Sequence, residues 1–128
     1  MASEPSLLEQ FLKGEIDNRS FRHADHIRVG FELLQRHDFS TAARAFSTSL
    51  KTIAAKAGNP GAYHETITVA FLAVIAERSA GCVSGDVEAF LRDNSDLMVK
   101  SVLERWYEPE RLRSELARRI FLLPQPRN

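Results

Sequence analysis

Apolar residues recur at helical spacing along almost the whole chain, and this periodicity constrains the fold more than any other feature. No segment alternates apolar and polar residues with the period of two that a half-buried strand requires. The clearest helical example begins near residue 20, where one face carries the positions i, i+3, i+4, i+7, i+8 and i+11. These are His23, His26, Ile27, Gly30, Phe31 and Leu34. The pattern predicts an all-α protein, a helical bundle of about five to seven helices.

Capping and helix-breaking residues divide this pattern into segments. The predicted helices cover residues 5–13, 21–36, 39–57, 60–79, 86–92, 95–106 and 109–123, and within the last portion Ser114 is expected to cap the final turns. Those at 21–36, 39–57 and 60–79 are expected to form the centre of the bundle, with Asp38 as the N-cap and Gly58 as the C-terminal stop of the middle one. The length of 128 residues suits a single domain, 1–128. Residues 1–19 are expected to be a short helix and linker, and residues 124–128 a frayed tail.

Composition narrows the classes of partner. Lys plus Arg equals Asp plus Glu at 17 each, so the near-zero net charge gives no electrostatic support for nucleic-acid binding. The chain shows neither a secretory signal nor an apolar run of the roughly 18 residues that a membrane span needs. The lone Cys82 suits a reducing compartment. We therefore expect a cytoplasmic protein, a monomer or homodimer, that acts on a small molecule and binds neither nucleic acid nor membrane.

Three of the four histidines are predicted to meet at one end of the bundle. The connections between the three central helices are short, so consecutive helices should run antiparallel and the first and third should run parallel. Their N-termini then share one end. His23 and His26 project from one face with Cβ atoms about 5–6 Å apart, and His64 should lie at the same level.

Three imidazoles can hold a divalent transition metal such as zinc, iron or copper, with a coordination position left open for water or substrate. A cation near helix N-termini needs a carboxylate close by, and Glu65 is the best placed. The predicted metal ligands are His23, His26, His64 and Glu65. Glu65 is also a candidate general base, and the hydroxyl of Tyr63 can reach the same site, so both are candidate catalytic residues.

A structural interpretation of the same histidines stays open. A histidine pair in a first turn can simply bond to backbone groups, and a single buried histidine is often only a satisfied core residue. The leading function is a small metal-dependent enzyme acting on a small molecule, by hydrolysis or hydration with zinc and by oxygen chemistry with iron or copper. The alternatives are a non-catalytic metal- or ligand-binding regulatory module and a helical interaction protein with structural histidines.

Three stretches, "FRHADHIRVGFELL", "GAYHETITVAF" and "ERWYEPERLRSELARRIF", together resemble a family of small all-helical bacterial proteins to which no established activity is attached. The shared patterns are Phe-x-His-x-x-His, Tyr-His-Glu-Thr and Tyr-x-x-Glu-x-Leu-x-Ser-x-x-Ala-Arg, and they span about residues 20–122. The third pattern is filled here by Tyr107, Glu110, Leu112, Ser114, Ala117 and Arg118. The resemblance implies that His23, His26, His64 and Glu65 form one functional unit, and it implies no reaction or cofactor.

Overall fold

A computed structural model describes residues 6–17, 19–81 and 85–125, and within these ranges the chain is helical without any strand. The α-helices are α1 (Leu7–Leu12), α2 (His23–Arg36), α3 (Phe39–Lys56), α4 (Glu65–Ser79), α5 (Val87–Asp93), α6 (Pro109–Leu112) and α7 (Glu115–Arg119). Short 3-10 helices cover Pro60–Ala62, Ser95–Met98 and Lys100–Arg105. The predicted all-α bundle is confirmed. Cys82, the first five residues and the last three residues of the predicted tail lie outside the described ranges.

Side chains in the sequence explain where several helices begin and end. The carboxylate of Asp38 accepts the Thr41 N–H at 2.8 Å, and the hydroxyl of Ser6 accepts the Glu9 N–H at 3.1 Å. Each bond satisfies an N–H that the first turn of a helix leaves unpaired. Gly58 has φ +77° just after α3, the left-handed conformation that ends many helices. The predicted cap and stop of this helix are therefore both present.

Helices α2, α3 and α4 pack together through apolar side chains. Phe31 of α2, Phe46 of α3 and Leu72 of α4 are each at most 2% exposed. Gly30 allows α2 and α4 to approach, because a Cβ atom there would lie 3.2 Å from Leu72 Cδ1 and 3.3 Å from Ile75 Cδ1. Burying each large apolar side chain stabilises the fold by about 1.5–3 kcal/mol. Within the described ranges, no helix is both long and apolar enough to cross a bilayer.

The helix predicted over 60–79 begins later than expected. Pro60–Ala62 forms a separate 3-10 turn, and α4 starts only at Glu65. His64 is extended, with φ −135° and ψ 110°, and occupies the N-cap position of α4. Its ring accepts the Ile67 N–H, so an imidazole does what a Ser, Asp or Asn side chain usually does at this position.

The two helices predicted over 95–106 and 109–123 are also broken. The first is two 3-10 helices separated by Val99, and the second is α6, α7 and an extended stretch from Ile120 onward. The cap predicted at Ser114 is confirmed, because its hydroxyl accepts the Ala117 N–H at 3.1 Å and starts α7 as a separate helix. The extended part, residues 120–123, is called the C-terminal segment below. Its backbone bonds to α4 instead of continuing α7.

Candidate ligand cavity

A cavity of about 500 Å³ opens where the N-terminal ends of α2 and α4 meet α3. Its apolar lining includes Phe21, Phe46, Leu50, Ile53, Phe71 and Leu103. The polar side chains that line it are His23, His26, Tyr63, His64 and Thr68. Most of its wall is therefore aliphatic or aromatic, with a few polar groups, which is the usual make-up of a small-molecule site.

All three predicted histidines line this one cavity. The ring centroids of His23 and His26 are 6.3 Å apart. His23 also lies against Phe71, with 5.1 Å between ring centroids, and His26 lies against Phe21 at 4.3 Å. His23 and His26 thus lie among aromatic side chains of the lining.

Both ring nitrogens of His64 are used by the fold. Nδ1 accepts the backbone N–H of Ile67 at 3.1 Å, and Nε2 lies 2.7 Å from the carbonyl oxygen of Leu112. A carbonyl oxygen only accepts hydrogen bonds, so the proton of the neutral ring is on Nε2. His64 therefore joins the start of α4 to the end of α6 and has no nitrogen left for a ligand.

His23 uses only one of its nitrogens in this way. Its Nε2 lies 2.7 Å from the carbonyl oxygen of Leu97 and donates to it. In the neutral ring Nδ1 is then an unprotonated acceptor, and no described residue donates to it. Among the described residues no buried side-chain nitrogen or oxygen lacks a partner. Nδ1 of His23 is therefore accessible to solvent, on a side chain that lines the cavity.

Tyr63 and Glu65 form a pair, but only Tyr63 lines the cavity. The Tyr63 hydroxyl donates to Oε1 of Glu65 at 2.5 Å. Burial, together with this hydrogen bond, raises the pKa of Tyr63 well above its ordinary value. The hydroxyl therefore keeps its proton, and the Glu65 carboxylate is connected to the cavity only through it. The ammonium of Lys51 lies 5.1 Å from the centroid of the Tyr63 ring, a cation–π contact.

The proposed metal ligands do not form a ligand set in this arrangement. Within the described part of the chain, no three His, Cys, Asp or Glu side chains are arranged to share a metal ion. The hydrogen bonds give the reason: His64 has both nitrogens engaged, and His23 has Nε2 engaged. The carboxylate of Glu65 is bonded to Tyr63. The predicted metal site is not supported by these contacts and stays a prediction.

A connection that the sequence analysis did not identify holds the C-terminal segment against α4. The fully buried hydroxyl of Thr66 donates to the carbonyl of Ile120 at 2.7 Å and accepts the N–H of Leu122 at 3.0 Å. The hydroxyl of Tyr107 donates to the Leu122 carbonyl at 2.7 Å. The partners of both side chains are backbone atoms, which every residue has, so no sequence pattern indicates the pairing.

The guanidinium of Arg118 makes a third connection, to the residue that precedes the cavity wall. Its NH1 group donates to the carbonyl of Gly61 at 2.6 Å. Gly61 directly precedes Ala62, Tyr63 and His64, which all line the cavity. Residues 107–122 therefore hold the segment before α4 in place.

Comparisons with protein-family models, curated proteins and solved structures found no match to this chain. The resemblance of the three stretches to a bacterial family therefore stays a prediction. Hydrogen bonds nevertheless join the second of these stretches to the third. His64 of the second bonds to Leu112 of the third, and Thr66 of the second bonds to the C-terminal segment.

Proposed function

We propose that this protein is a small-molecule-binding module whose ligand occupies the cavity between α2, α3 and the segment before α4. The observation that carries the proposal is the cavity itself, about 500 Å³ with a mainly aliphatic and aromatic lining. Sites for small organic ligands usually have volumes of about 300–1,000 Å³ and this kind of lining. The ligand would bury an apolar body there and orient it through a few polar contacts.

The hydrogen bonds of the candidate catalytic groups favour binding over a reaction. Tyr63 keeps its proton and bonds to Glu65, so neither is poised to exchange a proton with a ligand. His64 would have to break a bond to Ile67 or Leu112 before either nitrogen could take part in chemistry. These side chains support the wall of the cavity, which is the role expected in a binding module.

Filling the cavity tests the proposal. The probe is N-phenyl-1-naphthylamine, a neutral aromatic dye whose fluorescence rises in apolar surroundings. We expect saturable 1:1 binding to the wild-type protein. Ala54→Phe places a ring in the cavity, since Ala54 lines it, and should weaken binding by about tenfold, or about 1.4 kcal/mol.

Ala55→Phe is the matched control. Ala55 is the next residue of α3, is exposed and does not line the cavity. Both variants change helix propensity equally, so only the position of the ring differs. Equal affinity in the two variants, or no binding to the wild type, would contradict the proposal.

The metal-dependent enzyme predicted from the sequence stays a second candidate, because three histidines line one cavity. It is tested by elemental analysis of untagged protein purified without chelator, beside the His23→Ala/His64→Ala double variant. A near-stoichiometric amount of zinc, iron or copper in the wild type, lost in the variant, would favour it. No metal in either, and none taken up on addition, would favour the metal-free binding module.

We propose that this function is carried out in the cytoplasm, because a chain with a single cysteine suits a reducing compartment. We propose a monomer or homodimer whose partner is a small molecule rather than nucleic acid, since the net charge is near zero. Size-exclusion chromatography with light scattering, and fractionation of the source cells, test these two statements.

A further inference from the structure

Within the proposed binding function, on which this inference rests, we infer the chemical class of the ligand. It is a neutral molecule whose apolar body carries a hydrogen-bond donor, an O–H or N–H group. The inference comes from the hydrogen bonds of the polar side chains that line the cavity. Where their partners are defined, these side chains use their N–H or O–H groups as hydrogen-bond donors to the protein, and what they offer to a ligand is acceptor capacity.

His23 is the clearest of these acceptors. Its proton is on Nε2 and is donated to the carbonyl of Leu97, at 2.7 Å. The solvent-accessible Nδ1 therefore carries a lone pair and no proton while the ring is neutral. His64, by contrast, has no nitrogen left to bond to a ligand, because its donor nitrogen and its acceptor nitrogen both bond to the backbone.

The two hydroxyl groups of the lining follow the same pattern. The O–H of Tyr63 donates a hydrogen bond to Glu65 at 2.5 Å, and the O–H of Thr68 donates a hydrogen bond to the carbonyl of His64 at 2.7 Å. A hydroxyl whose O–H is engaged in one hydrogen bond keeps lone pairs that can accept. At His23, Tyr63 and Thr68 the cavity would therefore satisfy a donor on the ligand, whereas an acceptor placed against these three groups would meet other acceptors.

The charged residues near the cavity favour a neutral ligand. No Asp, Glu, Lys or Arg belongs to the cavity lining among the described residues. The two carboxylates next to lining histidines in the sequence are engaged, since Asp25 pairs with Arg28 at 3.1 Å and Glu65 accepts from Tyr63. The exposed Lys51 lies over the ring of Tyr63 and is not part of the lining. An ionised ligand would lose its hydration here without gaining a counter-charge, which is costly.

The experiment compares three probes with the same butyl-substituted ring: 4-butylphenol, 4-butylanisole and 4-butylbenzoate. The phenol is a donor, the anisole replaces that proton with a methyl group, and the benzoate is an anionic acceptor. Dissociation constants are measured at pH 8 by displacement of N-phenyl-1-naphthylamine and by calorimetry. We expect the phenol to bind about fivefold tighter than the anisole, as one net hydrogen bond allows, and the benzoate to bind most weakly.

The His23→Phe variant tests whether His23 is the group that accepts the hydrogen bond from the phenol. It keeps an aromatic ring against Phe71 but has no ring nitrogen, and should bring the phenol-to-anisole ratio close to one. His37→Phe is the matched control, because His37 is exposed at the end of α2 and does not line the cavity. It should leave the ratio unchanged. The wild-type ratio is informative by itself, so the test does not depend on the folding of either variant.

Each other outcome has a distinct meaning. Equal binding of phenol and anisole to the wild type would overturn the inference and leave the proposed function standing. Tightest binding of the benzoate would overturn it in favour of histidines that hold an anion. A preference for the phenol that survives in His23→Phe would overturn the assignment of His23 as the acceptor. No binding of any probe or of the dye would overturn the proposed function and this inference with it.

Discussion

The helical centre and the C-terminal third of this protein differ in how far hydrogen bonds supplement apolar packing. In the centre, α2, α3 and α4 contact each other through buried apolar side chains such as Phe31, Phe46 and Leu72. Residues 95–123 are short helices and an extended segment. They are attached to the centre by buried apolar side chains such as Leu97 and Leu103, and also by several side chains that bond to backbone carbonyls. Three of these bonds run from His23 to Leu97, from His64 to Leu112 and from Thr66 to Ile120.

This difference matters because the cavity lies at the boundary between the two regions. Its α3 wall belongs to the apolar centre, whereas the wall formed by residues 62–64 is held by residues of the C-terminal third. Apolar packing tolerates substitutions that conserve volume but responds to lost volume. A buried hydrogen bond responds to the loss of a single atom, because its partner is left unsatisfied. The four predictions below test this contrast, from the largest expected effect to the smallest.

Leu72→Ala should give the largest loss of stability. Leu72 is fully buried in the centre, and truncation removes its apolar contacts and leaves a cavity, so we expect a loss of about 2–5 kcal/mol. Urea unfolding followed by circular dichroism measures it. Leu116→Ala in α7 is the control, because Leu116 is 46% exposed, and it should cost less than about 0.5 kcal/mol. Similar losses in both variants would show that the centre does not depend on packing as described.

Thr66→Val tests the hydrogen-bonded region at nearly constant shape. It removes one hydroxyl and leaves the Ile120 carbonyl and the Leu122 N–H without their partner, and should cost about 1–3 kcal/mol. Hydrogen exchange of the Leu122 amide should accelerate, while amides within α3 change little. Thr66→Ser keeps the hydroxyl and should restore protection. An unchanged Leu122 amide in Thr66→Val would contradict the connection.

His64→Ala and His64→Asn separate the two bonds of this side chain. Alanine removes the cap of α4 and the bond to Leu112, and should lower stability by about 1–2 kcal/mol. Asparagine is a good N-cap residue but is too short to replace an imidazole at Leu112. It should recover about half of the loss, as measured by thermal and urea unfolding. Equal stability of the two variants would mean that the cap contributes nothing.

Asp96→Asn should have the smallest effect, and the effect should depend on pH. The guanidinium of Arg78, 2.6 Å from the Asp96 carboxylate, holds the pKa of Asp96 below its ordinary value, with a smaller contribution from Arg105. A lowered pKa means that the ionised form stabilises the fold above about pH 4, the ordinary range for Asp. That stabilisation is lost as the pH falls through the lowered pKa.

Asp96 is a third exposed, so we expect its replacement to cost about 0.5 kcal/mol at pH 7. The difference between wild type and variant should shrink towards zero as the pH falls below 4. Unfolding measured in urea across this pH range checks the prediction. A difference that stays constant down to pH 2.5 would show that the ion pair is not its cause.

The same contrast explains what the sequence could predict about the fold. The bounds of α2 and α3 were predicted within two residues, because their apolar period, the cap at Asp38 and the stop at Gly58 are all visible in the sequence. The start of α4 was predicted too early, because no feature of the sequence shows that His64 is an N-cap residue and not part of the helix. The extended C-terminal segment was wrongly predicted as helix, because its partner is a hydroxyl on a distant helix.

The candidate site was predicted in part for a similar reason. Short connections place the N-termini of α2 and α4 at one end of the bundle, and this alone was enough to predict that His23, His26 and His64 approach each other. Their roles were not predictable, because they depend on which nitrogen meets which carbonyl. The sequence suggested a metal, whereas the structure pairs two of these imidazoles with the backbone of residues 97 and 112.

The bond from His64 to Leu112 also bears on how the protein matures. A polypeptide is made from its N-terminus, so α2, α3 and α4 are synthesised before the residues that secure the wall of the cavity. Until Leu112 and Leu122 have been added, water is the partner of the imidazole and of the Thr66 hydroxyl. The helical centre can fold first, but the cavity wall acquires its final shape only when the chain has grown past residue 122. Completion of the cavity wall thus has to wait until residue 122 has been synthesised.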